Sequence, residues 1–126
     1  MTKMQALNQF FESFGLDAYQ EDSIYAADTA LPLPYITYDV VLDNFYGGSR
    51  GCHMTVWYRT TSLKPLEDKQ AEIAERLGIS GKVIPVDGGF LWIKRGKPFA
   101  TPMDVPADKL AKRIVINLEI EFETAT

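Results

Sequence analysis

Cysteine and histidine are almost absent from this sequence: Cys52 is the only cysteine and His53 the only histidine. A single cysteine excludes an intrachain disulfide and any metal site built from several cysteines. A Ser-His-Asp or Cys-His catalytic group would need His53, and on a β-strand the neighbouring Cys52 points to the opposite face. The short ligand spacings of zinc and calcium sites are also missing. We therefore predict no catalytic residues, no metal site and no cofactor, and expect that the protein is not an enzyme.

Long apolar runs and an excess of basic charge are missing as well. No segment approaches the roughly 18 apolar residues of a membrane helix, and the first residues lack the apolar core of a secretory signal. Lysine and arginine together number 13 and aspartate and glutamate 17, which gives a net charge of −4. Proteins that bind nucleic acid by neutralising phosphates carry a net positive charge instead. We expect a cytoplasmic protein with no membrane contact and no tight binding to DNA.

What is present suffices for one compact domain, because the chain has 126 residues of which 46% are hydrophobic. Apolar residues spaced by three and four predict two helices, while alternation and turn residues predict strands. The predicted elements, in chain order, are helix 2–14, a short strand 18–20, strands 35–43 and 51–60, helix 64–77, and strands 82–86, 90–94 and 114–123. We predict an α+β fold, a mostly antiparallel β-sheet with two α-helices packed on it, forming a single domain over residues 1–126.

Two of the connecting segments are predicted to be surface loops. Glu21 to Thr29 is polar and acidic and has no periodicity. Gly96 to Asp108 carries three prolines, which predicts a stiff loop that runs around the fold.

Aromatic and arginine residues outside the predicted core are candidate contact residues. In strand 51–60, alternation places Cys52, Met54, Val56 and Tyr58 in the core and the intervening residues on the other face. The glycine-rich connection from Asn44 to Gly51 leads into a strand rather than a helix, which disfavours a phosphate-binding loop and favours a hairpin tip. Tyrosine, tryptophan and arginine are enriched at interface hot spots. The predicted subunit or partner interface comprises Phe45, Tyr46, Arg50, Trp57, Arg59 and Trp92.

The closing strand has the cleanest alternation in the chain. One face is apolar and consists of Ile114, Ile116, Leu118, Ile120 and Phe122. The other face carries Glu119, Glu121 and Glu123, about 7 Å apart along the strand. These carboxylates face the same way with no pocket to separate their pKa values, so a catalytic pair is not predicted. They form either a solvated face or an acidic surface that lines a passage for DNA, where like charge would prevent sticking.

The order and spacing of these elements resemble those of the tail-completion, or tail terminator, proteins of long-tailed bacteriophages and prophages. The similar segments are the phenylalanine-rich helix ending at Phe14-Gly15, the strand Leu33-Pro34-Tyr35-Ile36-Thr37-Tyr38, the segment Val56-Trp57-Tyr58, the helix Pro65 to Leu77 and the closing strand. The resemblance implies a ring, expected to be a hexamer, that caps the head-proximal end of the tail tube, stops elongation and prepares head attachment.

The same resemblance implies the partners and the location of the protein. Its partners would be further copies of itself, the tail tube protein and a head-completion protein, with DNA passing through without tight binding. It would occupy the host cytoplasm during assembly and then the neck region of the virion tail. Two alternatives stay open: a head-to-tail joining or minor capsid component, and a small-molecule binding domain or enzyme with a pocket beneath the Gly96 to Asp108 loop.

Overall fold

A computed structural model describes residues 1–20, 33–40, 50–104 and 111–124 of the chain. Within these residues the chain forms two helices and six strands. In order along the chain, the elements are α1 (Lys3–Glu12), β1 (Ala18–Gln20), β2 (Tyr35–Val40), β3 (Arg50–Arg59), α2 (Lys64–Leu77), β4 (Lys82–Val86), β5 (Gly89–Asp104) and β6 (Ala111–Thr124). The predicted loop at Glu21 to Thr29 and the predicted end of the strand at 41–43 lie outside the described residues.

The six strands form one sheet in the order β1-β2-β3-β6-β5-β4. β1 pairs with β2 in parallel, and the other described pairs are antiparallel. β6 is central, because it pairs with β3 along one side and with β5 along the other. The α+β fold predicted from the sequence is therefore confirmed.

Helix α1 has a complete N-terminal cap. The Thr2 hydroxyl accepts a hydrogen bond from the Gln5 backbone N–H at 3.2 Å, and the Gln5 side chain accepts one from the Thr2 N–H at 2.9 Å. This capping box satisfies two of the backbone donors that a helix start leaves unpaired. The helix ends at Glu12, and Gly15 beyond it has the positive φ of 85° that favours glycine.

Helix α2 holds the end of α1 through its basic side chains. The ammonium of Lys69 donates to the Phe14 carbonyl oxygen at 2.7 Å, and the Arg76 guanidinium donates to the Ser13 carbonyl oxygen at 3.0 Å. These two carbonyl groups belong to the turn that follows α1, and the cations provide hydrogen-bond donors for them near the negative end of the helix dipole. Gly78, with a φ of 66°, ends α2 as predicted.

Both helices pack on the same face of the sheet. Their buried residues are Ala6, Leu7, Phe10 and Phe11 on α1 and Leu66, Ile73 and Leu77 on α2. The facing sheet residues are buried too: Ile36, Tyr38, Cys52, Met54, Val56, Leu91, Ile93, Ile114, Ile116, Leu118 and Ile120. The predicted core faces of strand 51–60 and of the closing strand are thus confirmed, with Tyr58 and Phe122 only partly buried.

The prediction of a loop from Gly96 to Asp108 was wrong over most of its length. β5 continues to Asp104, and its residues Ala100 to Asp104 pair with β6 after a shift of register between Arg95 and Ala100. Proline is tolerated here because, beyond Ile93, β5 has no described strand on its other side, and a free edge does not need the missing N–H. Residues 105–108 of that segment lie outside the described part.

Candidate functional site

The face of the sheet opposite the helices is the candidate site, and we call it the open face. Alternation along each strand places one set of side chains on it, and within the described residues no helix covers them. The open face includes Tyr35, Thr37 and Asp39 on β2, His53, Thr55, Trp57 and Arg59 on β3, Arg113, Val115, Asn117, Glu119, Glu121 and Glu123 on β6, Phe90, Trp92, Lys94, Thr101 and Met103 on β5, and Val83 and Pro85 on β4.

Trp57 organises one end of this face, which we call the arginine end and define as Tyr35, Trp57, Arg59 and Arg113. The indole N–H of Trp57 donates to the Thr37 hydroxyl at 2.9 Å, which fixes the ring across β2. The ring centroids of Trp57 and Tyr35 are 6.0 Å apart. The guanidinium carbon of Arg113 lies 5.2 Å from the Trp57 ring centroid, which is a cation–π distance.

The acidic end lies at the opposite end of β6 and is defined as Glu119, Glu121 and Glu123 with Trp92 beside them. The cross-strand neighbours of the three glutamates on β5 are Lys94, Trp92 and Phe90 respectively. The Lys94 ammonium is 3.3 Å from a Glu121 carboxylate oxygen and 4.4 Å from the Trp92 ring centroid. Val83, which is 52% exposed, lies across from Trp92, so an apolar patch adjoins the carboxylates.

The structure places Trp57, Arg59 and Trp92 on one face but not in one patch. Trp57 pairs across to Arg113 and Trp92 pairs across to Glu121. These two positions on β6 are eight residues apart, or about 27 Å along the strand. The face therefore carries two separate groups of side chains with opposite charge.

The remaining predicted contact residues belong to the connection between β2 and β3. Phe45 and Tyr46 lie outside the described residues. The backbone of Arg50 begins β3 and pairs with Ile120.

A small polar cleft lies in the middle of the open face, near the shift of register in β5. Its volume is about 210 Å³, and His53, Lys97, Asn117 and Glu119 are among its lining residues. The Asp39 carboxylate accepts a hydrogen bond from the His53 backbone N–H at 2.8 Å and lies 3.2 Å from the His53 Nδ1. The described ranges contain no group of three or more His, Cys, Asp and Glu side chains that could hold a metal ion.

Cys52 lies beneath this cleft, on the core side of β3. Burial raises the pKa of its thiol above the ordinary value of 9.0, and the negative charge of Asp39 adds to the shift. A neutral buried thiol is a poor nucleophile, because the thiolate is the reactive form.

A larger cleft of about 540 Å³ separates α1 from the edge strand β1. Four of its nine lining residues carry amide side chains, and the Tyr38 hydroxyl donates to the Asn8 side-chain oxygen at 2.7 Å beside it. Burial raises the pKa of Tyr38 above its ordinary value of 10.0, so this hydroxyl stays a donor at neutral pH.

The chain is similar in fold to a chain of a solved virion structure. No family model matches the sequence, and no curated protein is significantly similar to it. A virion protein has this fold. The similar chain comes from the solved structure entitled "Virion of native gene transfer agent (GTA) particle", with a TM-score of 0.55 and 16% sequence identity, over 97% of this chain and 95% of that chain. At this level of identity the likeness concerns the fold.

Arg113, like Tyr35 and Lys94, is a residue of the open face that the sequence analysis missed. The closing strand was predicted to begin at Ile114, whereas β6 begins at Ala111. Extending the alternation of Ile114, Ile116 and Leu118 backwards by one position would have placed Arg113 on the face of the glutamates.

No helix of the described part is long and apolar enough to span a membrane.

Proposed function

We propose that this protein is a structural component of a virion. The observation that supports this most directly is the similarity in fold to a chain of the gene transfer agent virion, because that similarity covers nearly the whole length of both chains. A likeness of that extent concerns the whole domain rather than a local motif. The open face, with a tryptophan and charged groups at both ends, is a further reason to expect a protein that works by contact with other proteins.

Within the virion, the proposed role is that of a tail terminator. The protein forms a ring on the head-proximal end of the tail tube, stops elongation and offers a face for head attachment, as the resemblance of its sequence to tail-completion proteins suggests. A ring of identical subunits needs two unlike surfaces on each subunit. The proposed surfaces are the hairpin connection, with Phe45, Tyr46 and Arg50, and the open face, with Trp57, Arg59 and Trp92.

The edges of the sheet favour contacts through side chains over strand pairing between subunits. β1 has three residues, β4 carries the exposed Lys82 and Pro85, and the free edge of β5 beyond Ile93 carries Pro98 and Pro102. Short strands, lysine and proline at an edge disfavour pairing with another strand. In this proposal the row Glu119, Glu121 and Glu123 faces the passage of DNA in the finished ring and repels it.

The proposal includes the absence of an enzymatic activity. The pocket that an enzyme was expected to use beneath the Gly96 to Asp108 segment corresponds to the cleft of about 210 Å³, which Gly96 and Lys97 help to line. Small-molecule sites have volumes of about 300–1,000 Å³. This cleft is therefore smaller than a site for a typical organic substrate. The cleft of about 540 Å³ between α1 and β1 is within that range, but it lies at the other edge of the sheet from β5.

Electron microscopy of a lysate tests the proposed function. A stop codon is placed early in this gene of the parent phage or prophage, and a synonymous change at the same codon is the control. We expect headless tails of abnormal and variable length, together with filled heads, and restoration of virions by the wild-type gene supplied in trans. Filled heads with tails of normal length would instead assign the protein to head-to-tail joining, and normal virions would refute a role in assembly.

A further inference from the structure

The acidic end of the open face has carboxylates that are not neutralised within the described chain. Glu121 is paired with Lys94, but Glu119 and Glu123 form no ion pair in residues 1–20, 33–40, 50–104 and 111–124. Val83 and Trp92 lie next to these carboxylates. An apolar patch with a charged rim is the usual composition of a protein interface.

The arginine end has the complementary properties. The half-buried Arg113 stacks on Trp57, and in the described part of the chain it makes no ion pair; its buried Nε has no hydrogen-bond acceptor. The two terminal nitrogens of a guanidinium stacked on an aromatic ring are well suited to receive a carboxylate from another molecule, because they match the two carboxylate oxygens. Met103, the cross-strand neighbour of Arg113 on β5, adds an exposed apolar side chain.

We propose that the open face joins two copies of this chain in the free protein. Glu119 and Glu123 of one copy lie against Trp57 and Arg113 of the other, and the reverse contact forms at the same time. The two ends are on one face, about 27 Å apart along β6. A two-fold axis that passes midway between them therefore brings each end onto the opposite end of the second copy, which gives a closed isologous dimer.

The size of the face suits such a contact. The six strands span about 24 Å, so over about 27 Å of strand length the face has an area of at most about 650 Å², which is at the lower end of the roughly 600–1,000 Å² that each partner buries in a standard-size interface. Charge complementarity between the two ends fixes the orientation of the two copies. The dimer stands independently of the proposed role in a virion, since it concerns the purified protein; in an assembling ring the same face would pass to other contacts.

Charge reversal with complementation tests the dimer. The two variants are Arg113→Glu at the arginine end and the double substitution Glu119→Arg/Glu123→Arg at the acidic end. Sedimentation equilibrium of the purified protein should give a wild-type dimer, and each variant should have a dissociation constant raised by at least about tenfold, because like charges then face each other. An equimolar mixture of the two variants should dimerise again, as should the chain that carries all three substitutions.

A matched control makes the same change of charge as the acidic-end variant, but on helix α2 instead of the open face. Glu67→Arg/Glu75→Arg alters two exposed carboxylates of α2, on the far side of the sheet, and should leave the dimer unchanged. Arg113→Gln is a milder second variant for the arginine end and should also weaken the dimer if Arg113→Glu unfolds. A wild-type protein that stays monomeric at its solubility limit, a dimer that neither end affects, or an oligomer larger than a dimer would overturn the proposal.

Discussion

Cys52 lies on the core side of the central part of the sheet with 1% of its surface exposed. Burial keeps the thiol neutral, because the apolar surroundings disfavour the charged thiolate. We predict that a thiol reagent at pH 8 modifies the native protein only as fast as the protein unfolds, whereas the protein in urea reacts at once. The measurement is the rate of labelling against urea concentration. Rapid stoichiometric labelling of the native protein would show that the thiol is accessible.

The same pKa shift has a defined effect on stability. The folded state favours the neutral thiol, so its contribution is fully present below the ordinary pKa of 9.0 and is lost as the pH rises above that value. The free energy of unfolding should therefore fall above pH 9. In the Cys52→Ala variant this part of the decline should be missing, which separates it from the titration of other groups.

Gly96 stands where a side chain has no room. A Cβ added to it would meet backbone and Cβ atoms of Asn117 at 2.9 Å. We predict that Gly96→Ala lowers the free energy of unfolding by about 1–3 kcal/mol, because the backbone must shift to relieve the contact. Urea denaturation measures the change. Gly51→Ala is the control, since a Cβ there meets no atom within 4 Å.

The two helices begin in different ways, and this difference predicts different sensitivities to mutation. Helix α1 starts with the capping box of Thr2 and Gln5, whereas the N-cap of α2, Leu63, makes no side-chain hydrogen bond. We predict that Thr2→Ala lowers the free energy of unfolding by about 0.5–2 kcal/mol and that Thr2→Ser, which keeps the hydroxyl, has little effect. Equal losses in the two variants, measured by urea denaturation, would argue against the cap.

The elements that could be predicted from the sequence were those with a complete periodic pattern. Helix 64–77 was predicted with the bounds that the structure has, since Pro65 and Gly78 mark its two ends. The second half of β5 could not be recognised, because its glycine and prolines are typical of a loop and only pairing with β6 makes the segment a strand.

The candidate site could be predicted in part for a related physical reason. Alternation within a strand shows which residues share a face, so Trp57, Arg59 and the three glutamates were placed correctly relative to the core. Their distances across the sheet depend on which strands are neighbours and in what register. That information is absent from the local sequence, and so the division of the open face into an arginine end and an acidic end appeared only in the fold.

At the scale of the whole molecule, the dominant feature is that both described helices lie on one side of the sheet. The buried side joins every element into a single core, and the open face does not contribute to that core. The variant Glu119→Arg/Glu123→Arg should therefore change association with little loss of folding stability, which thermal unfolding of the same sample will check.

This one-sidedness also bears on how such a protein can diverge. On every long strand, alternate residues are under different constraints. One set must continue to fill the core, while the other set can change to suit the molecule that the open face binds. A lineage can thus exchange its binding specificity by changes at alternate positions and leave its architecture intact. Such a division of labour between the two faces allows chains to share a fold along nearly their full length at 16% sequence identity.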